Sequence, residues 1–346
     1  MNTLDRFKMY GLYTLLLSSC FSACSLQCGE DLFLEPDLSP PRLLEISPTD
    51  SQDVYILFDE PVKAQSESIQ LESGETAQLT VLNETTLTLT PQMPLVPGSP
   101  YKAALTVEDT SGNSCRFVLL FWGWNPRVPE LLINEFNPQG SESNPDCIEL
   151  YALSEGNTAG ICLYYGTRRY YEYRYILPDI ELTEGEYIII HCRREFLSEE
   201  ISESRDKTIS GGKLSSDKAW DLWLPDDTGL SGANGILTIY NAPEGVLIDG
   251  VVYSDREPDP EDDNLGWTSR TFDAAADLYQ MGAWAFSDES ISPKEAIPSY
   301  YTTATRSLCR GSSSLDTDSM IDWHTVPTSG KSFGAINTDE EYAPSS

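Results

Sequence analysis

The chain has 346 residues, with 22 Lys plus Arg against 55 Asp plus Glu, a formal net charge of -33. That imbalance argues against a nucleic-acid partner, because affinity for a polyanion comes from Lys and Arg displacing its counterions. With 40% hydrophobic residues, 7 Trp, 18 Tyr and 11 Phe, the chain can fill real cores and is not a disordered one. Two His leave little for zinc or His-triad chemistry.

Residues 1–19 read as an export signal: Arg6 and Lys8 precede a short apolar run over 9–17, far below the ~20 residues that a spanning helix needs. Directly after it, Leu17-Ser18-Ser19-Cys20 resembles the lipobox of bacterial lipoproteins. The resemblance implies that Cys20 carries the lipid and becomes the mature N-terminus, anchoring the chain to a membrane by acyl chains worth ~0.8 kcal/mol per buried methylene. Phe21-Ser22-Ala23-Cys24 offers Cys24 as the alternative, and ordinary secretion with nearby cleavage is a further one. Besides Cys20, cysteines stand at 24, 28, 115, 147, 162, 192 and 309; that number is odd, and lipidation at Cys24 would make it even. An oxidising compartment permits disulfides among them, yet Cys147, Cys162 and Cys192 sit in strand-like runs and suit reduced core positions equally well.

Residues 20–41 form a Pro-containing tether. From 42 to 124 short runs rich in β-branched and aromatic residues alternate with turn signals: VYILF (54–58), SIQL (68–71), QLTVL (78–82), TLTLT (86–90), YKAALTV (101–107) and RFVLLF (116–121). Such spacing predicts a β-sandwich, with Leu87 and Leu89 inward and the neighbouring Thr outward. The landmarks ILFDEPV (56–62), LTLTPQMPLVPGSPY (87–101) and VEDTSGN (107–113) resemble bacterial Ig-like domains of the S-layer (SbsA) type, which implies a spacer or adhesive module. Asp109 and Asn113 read as turn residues before cation ligands.

A second β-rich series runs from LLINEFNP (131–138) through CIELYAL (147–153), ICLYY (161–165), YEYRYILP (171–178), EYIIIHC (186–192), AWDLWLP (219–225) and GILTIY (235–240) to VLIDGVVYS (246–254). INEFNP (133–138), DCIELY (146–151), LTEGEYIII (182–190) and the closing TRSLCRG (305–311) and TSGKSFGAIN (328–337) resemble the lamin-tail domain, an Ig-like module of exported proteins. Ser329 where that family usually has Pro, and the missing Gly-Trp after IELY, depart from its pattern. The resemblance covers 130–337, interrupted over about 255–304 by an insertion expected to be irregular, with 338–346 as a tail.

The insertion crowds Asp255, Glu257, Asp259, Glu261, Asp262 and Asp263 into one loop, the oxygen-rich chemistry that Ca²⁺ favours. Pro260 and Gly266 stand where an EF-hand needs Gly and Glu, so a solvated acidic loop is the default reading. No cofactor is called for. For catalysis, His191 and Cys192 are adjacent in a strand and point to opposite faces, and neither a nucleophile elbow nor a phosphate loop exists; the chain is expected not to be an enzyme.

The most unusual segment is YYGTRRYYEYRY (164–175). Tyr and Arg are enriched at binding hot spots, so Arg168, Arg169, Tyr170, Tyr171 and Tyr173 are the candidate partner-binding residues, against the plainer reading of a hairpin with Tyr on both faces. The expected whole is an all-β chain of two tandem Ig-like sandwiches, lipid-anchored in a bacterial cell envelope, binding a protein or glycan. A structural role facing the periplasm and an accessory or degenerate hydrolase module are the alternatives.

Overall fold

A computed structural model describes residues 37–49, 52–257, 264–287 and 291–344. It is nearly all β, with 39% strand and 6% helix. The proposed signal peptide, Cys20, Cys24, and the loop residues Asp259, Glu261, Asp262 and Asp263 lie outside the described residues.

In the first sandwich, β1 (Leu43–Pro48), β2 (Val54–Phe58), β6 (Thr86–Pro91), β5 (Thr76–Asn83) and β4 (Ser68–Gln70) form one sheet in the order β1-β2-β6-β5-β4. The facing sheet is β3 (Val62–Ala64), β7 (Pro100–Asp109) and β8 (Ser114–Trp122). Strand β7 shows why the sequence was readable. Tyr101, Ala103, Leu105 and Val107 turn inward while their neighbours face out, the period-two pattern of a half-buried strand. Leu87 and Leu89 enter the same core, but Thr86 and Thr88 are also buried; Thr88 lies between its cross-strand partners Tyr55 and Thr80 on the central strand.

The chain enters this sandwich at one end and leaves at the other. At the entry, the Asp37 carbonyl accepts a hydrogen bond from Asn113 Nδ2 at 3.0 Å, in the turn joining β7 to β8. That turn is built by Asp109, whose Oδ1 accepts from Ser111 N and Asn113 N at 2.8 Å each, as its turn role required. At the exit, Gly98 N donates to Gly123 O at 3.0 Å. The strands between these ends are ~30 Å long at the usual rise per residue.

The second sandwich packs a six-stranded sheet on a five-stranded one. The first has the order β16 (Trp220–Trp223), β15 (Tyr187–His191), β10 (Cys147–Ala152), β9 (Leu131–Asn137), β20 (Leu308–Arg310), β21 (Trp323–Thr325). The second runs β13 (Tyr171–Ile176), β12 (Cys162–Gly166), β17 (Asn234–Tyr240), β18 (Leu247–Ser254), β19 (Ile297–Pro298), and a small pair joins β11 (Gly156–Asn157) to β14 (Glu181–Leu182). The core between them is large and aromatic, with Phe136 against Tyr253 and Trp323.

The insertion is more regular than the sequence reading allowed. It contains helix α1 (Ser269–Gln280), capped by Thr268, whose hydroxyl accepts from Thr271 N. Ala274, Ala275 and Leu278 pack into the second core, and Gly250 on β18 leaves the space that Leu278 occupies. Trp267, Trp284 and Phe286 on either side join the same core.

The C-terminal segment 326–342 is a strap across the outer face of the six-stranded sheet. Ser332 N and Oγ donate to Glu135, Gly334 N donates to Glu149 Oε2 at 2.6 Å, and Asn337 Nδ2 reaches the carbonyls of Asn134 and Arg310. Residues beyond 337 are tied down too: Tyr342 N donates to Thr325 O at 2.8 Å and Asp339 binds Ser312, where only a tail was expected. Strand β9 is therefore buried at every position, including Asn134, Glu135 and Asn137.

Candidate functional site

The Tyr/Arg hairpin forms as a two-strand unit, β12 with β13, closed by Thr167 and Tyr170 exchanging backbone hydrogen bonds around Arg168-Arg169. Gly166 has φ +113 and sits against the Tyr170 carbonyl, a conformation and a closeness that only glycine tolerates without strain. The tyrosines mostly serve the protein itself. Tyr164 is fully buried, with Tyr171 and Tyr240 edge-on to it. Tyr173 turns inward against Tyr165 and the second core, and burial drives its hydroxyl well above the ordinary phenol range. This removes Tyr173 from the contact set: Tyr173 and Tyr175, two residues apart, share the core side of β13, while the register shift opposite Tyr165 and Gly166 turns Tyr171 to the other side, against Tyr164. Tyr171 is half-buried, and Tyr170 is exposed.

The two arginines are fixed from behind. Arg168 Nη1 donates to the carbonyls of Glu244 and Gly245 at 3.0 and 2.9 Å. Arg169 pairs with Asp277 of α1 at 3.2 Å. Both line a cleft of about 1200 Å³ between the two sandwiches.

The opposite wall of the cleft comes from the first sandwich: all six residues of β1, and Leu120 to Asn125. The loop after β17, Met281 after α1, and Asp318 complete it. Leu44, Leu120, Val246 and Met281, all exposed apolar side chains, fall within this one depression. Clustered exposed apolar surface marks interaction sites, whereas single residues do not.

The junction that shapes the cleft is specific. Gly98 (φ +71) and Gly160 (φ +86) meet backbone to backbone; a Cβ on Gly160 would lie 2.7 Å from Gly98 Cα. Asn125 Nδ2 donates to the carbonyls of Asn157 and Ala159 at 2.7 and 3.0 Å, and Arg174 lies 6.0 Å over the Trp122 ring. Sequence reading found the hairpin but missed the wall opposite. The paired Leu43-Leu44, which breaks alternation in a strand, was the one local sign of it.

Among the described residues, two acidic groups have carboxylates close enough to share an ion. Asp37, Glu60 and Asp109 meet where the chain enters the first sandwich; Asp249, Asp316 and Asp318 meet in the second. In the second group a cation is already supplied, since buried Arg310 contacts Asp249, Asp316 and Asp322 at 3.5, 2.8 and 3.6 Å. Of the Ca²⁺ candidates in the insertion, Asp255 and Glu257 are described; Asp255 is half-buried, and burial raises its pKa.

His191 and Cys192 do point to opposite faces. Cys192 is in the core, while His191 pairs with Asp221 at 2.7 Å, stacks on Trp223 at 3.9 Å and lies 3.5 Å from Cys147 Sγ. This Cys–His–Asp series has the connectivity of a catalytic triad. Cys147, His191 and Asp221 are all buried, and burial raises the Cys147 thiol far above its ordinary value. Burial of this kind disfavours the thiolate, which is the attacking form. The described cysteines 115, 147, 162, 192 and 309 are all unpaired.

The chain belongs to the family TP_1001_2nd, described as a protein second domain, which matches residues 129–325. An uncharacterized protein of Treponema pallidum (strain Nichols) is a relative, 22% identical over 194 residues that cover 55% of this chain and 49% of that protein. The chain thus spans about half the length of the curated relative it matches. Among solved structures, the N-terminal part of the bacterial S-layer protein SbsC is similar with a TM-score of 0.24 and 14% identity, covering 63% of this chain and 45% of that one. An L,D-transpeptidase from Mycobacterium smegmatis scores 0.18 at 12% identity, over 55% of this chain and 92% of that one. Scores this low carry no argument about activity.

Proposed function

We propose that this is a lipid-anchored protein of a bacterial cell envelope that binds a partner non-covalently in the cleft between its sandwiches, the first sandwich acting as a spacer and the second as a lamin-tail-like head. The reading of address rests on the export signal and on Cys20 or Cys24 as the lipid site. No helix among the described residues is long and apolar enough to cross a membrane. The spacer role is supported by the chain entering at Asp37 and leaving near Gly123, at opposite ends of the first sandwich. The observation that carries the binding role is the gathering of Leu44, Leu120, Val246 and Met281 beside Arg168 and Arg169 in one cleft.

A photo-crosslinking amino acid placed at Leu44, Val246 or Met281 in the native host tests it. Adducts are expected from these sites and not from Val81 or Ile321, apolar side chains exposed elsewhere. Equal labelling from all five sites, or none from the cleft, overturns the reading. Protease shaving of intact cells then assigns the side of the envelope: loss of the chain puts the cleft outside, and survival until the membrane is breached puts it in the periplasm.

A further inference from the structure

We propose that the cleft takes an extended, basic polypeptide segment, which adds as a strand to the free edge of β1. The inference rests on the cleft being the binding site and names what fills it.

Three observations converge. First, β1 is the terminal strand of its sheet: it pairs with β2 alone, and every one of its residues from Leu43 to Pro48 lines the cleft. The backbone groups on its far side therefore face the cleft without a partner among the described residues, and an unpaired strand edge is a template for an incoming strand. A six-residue strand is ~20 Å long, and the cleft, at about 1200 Å³, is large for a small molecule, whose sites are usually ~300–1,000 Å³.

Second, the edge is guarded at both ends and open in the middle. A bulge interrupts the β1 register between Leu43 and Glu45, and Pro48, which has no N–H, closes the far end. Backbone pairing is thus confined to Glu45–Ser47, too short to hold a strand alone. Side chains must add to it, and exposed Leu44, Leu120 and Val246 offer apolar contacts to one face of an added strand.

Third, the charge has a sign. Glu45 and Asp318 line the cleft together with Glu244, which lies 3.9 Å from Arg174; of its cations, Arg169 is paired with Asp277, and Arg168 keeps its charge but is held by two carbonyls beside Glu244. The whole chain carries -33, a field that draws in basic segments and repels acidic ones. Opposite charges across paired strands then favour Lys or Arg facing Glu45.

The test uses the full chain in detergent micelles and a fluorescein-labelled octapeptide of alternating Lys and Val, read by anisotropy. Saturable binding is expected, weakened at least tenfold when the four central amides of the peptide are N-methylated, and at least threefold by Glu45→Lys. Glu45 is exposed, so this variant keeps its fold. The methylated peptide has the same charge, so equal binding of the two peptides means adhesion by charge alone and overturns the inference. If a tetramer of N-acetylglucosamine binds and the peptide does not, the inference fails while the cleft remains a binding site. If neither binds and cleft crosslinking is also absent, both readings fail.

Discussion

The two sandwiches solve the same packing problem with different materials. The first has one apolar core, and few polar side chains are buried beside it: Thr86 and Thr88 on the central strand and Asp109 in a turn. The second buries Asn134, Glu135, Glu149, His191, Asp221, Asp249 and Arg310, and its strap bonds to Asn134, Glu135 and Glu149. A strand half open to water needs only alternation. A strand buried on both faces must satisfy every polar group it carries, because an unpaired buried donor or acceptor costs ~1–3 kcal/mol. The second sandwich is thus the one whose order depends on partners far apart in sequence, such as Gly334 on Glu149.

The sharpest way to break that contrast is Arg310→Ala. Arg310 holds Asp249, Asp316 and Asp322 together and also donates to Ile133 O at 2.9 Å. Removing one member of a buried ionic group strands the others and costs ~3–5 kcal/mol. Hydrogen exchange followed by mass spectrometry is expected to show lost protection over 131–325 and little change over 54–121. Equal loss in both sandwiches would mean that they do not differ as argued.

The same contrast decided what could be read from the sequence. Runs such as YKAALTV and TLTLT alternate, and they became β7 and β6 near the boundaries expected. LLINEFN also marked a strand, but nothing local said that Glu135 would be fully buried, since its ligands Ser307 and Ser332 are ~170 and ~200 residues away and such loop closures leave no periodic trace. Helix α1 was legible in principle: Phe272, Ala275, Leu278 and Tyr279 recur at helical spacing. The acidic run before it drew the whole insertion into the loop reading. Of the candidate site, the hairpin was visible in its composition. The cleft was not, because it needs β1 from one sandwich and Arg168 from the other.

Protonation should move the two sandwiches in opposite directions. In the second, burial raises Asp249 to about 6 even with Arg310 beside it, whose charge is shared with Asp316 and Asp322. Burial also raises Glu135, and Glu149 well above the usual range, the latter with added repulsion from Glu135. The native state then holds protons that the unfolded chain gives up. Stability is complete below the unfolded carboxyl values, ~4, and is lost as pH rises through 6, by roughly 3 kcal/mol in all for Asp249 alone. Asp179, Glu181 and Glu186, held low by their hydrogen-bond partners at the surface, pull the other way but are screened by solvent.

In the first sandwich, Asp59 is lowered by the Arg42 backbone and side chain. At Asp109 burial pushes up but is outweighed by hydrogen bonds from Asn113 and Ser111. The stability these two contribute is present above the unfolded values and is lost as pH falls; Glu60, raised by burial and by repulsion from Asp109, opposes them. Urea melts between pH 4 and pH 7, resolved by hydrogen exchange, should show the second sandwich weakening with rising pH while the first does not. Parallel trends would refute the assignment of buried acids.

A smaller effect tests whether the sandwiches are joined rigidly. Gly98→Ala places a side chain where φ is +71 and where the Gly160 backbone already stands, a strain of ~1–3 kcal/mol that falls on the junction and on neither core. Small-angle scattering should show a larger spread of shapes than the parent gives, with both cores still protected from exchange. Loss of core protection would instead make the Gly98 loop part of the first sandwich's own stability. If the peptide binds β1 in the cleft, this variant should weaken it as well, because the opposite wall would no longer be held in place.

The smallest effect is chemical. Cys147, Cys162, Cys192 and Cys309 are buried, and burial raises each thiol, Cys162 to about 12. Cys115, on β8, is half-buried. A short iodoacetamide pulse on the folded chain, mapped by peptide mass spectrometry, should modify Cys115 ahead of these four. It separates two views of the Cys147–His191–Asp221 series. If the series is a packing element of the strapped face, Cys147 labels only when the second sandwich opens, and Arg310→Ala should speed it in step with exchange. Rapid labelling of Cys147 in the native chain, abolished by His191→Ala, would mean that the strap moves aside to expose an activated thiol. The polar layer of the second sandwich would then be working chemistry, and the difference between the two sandwiches one of activity as well as packing.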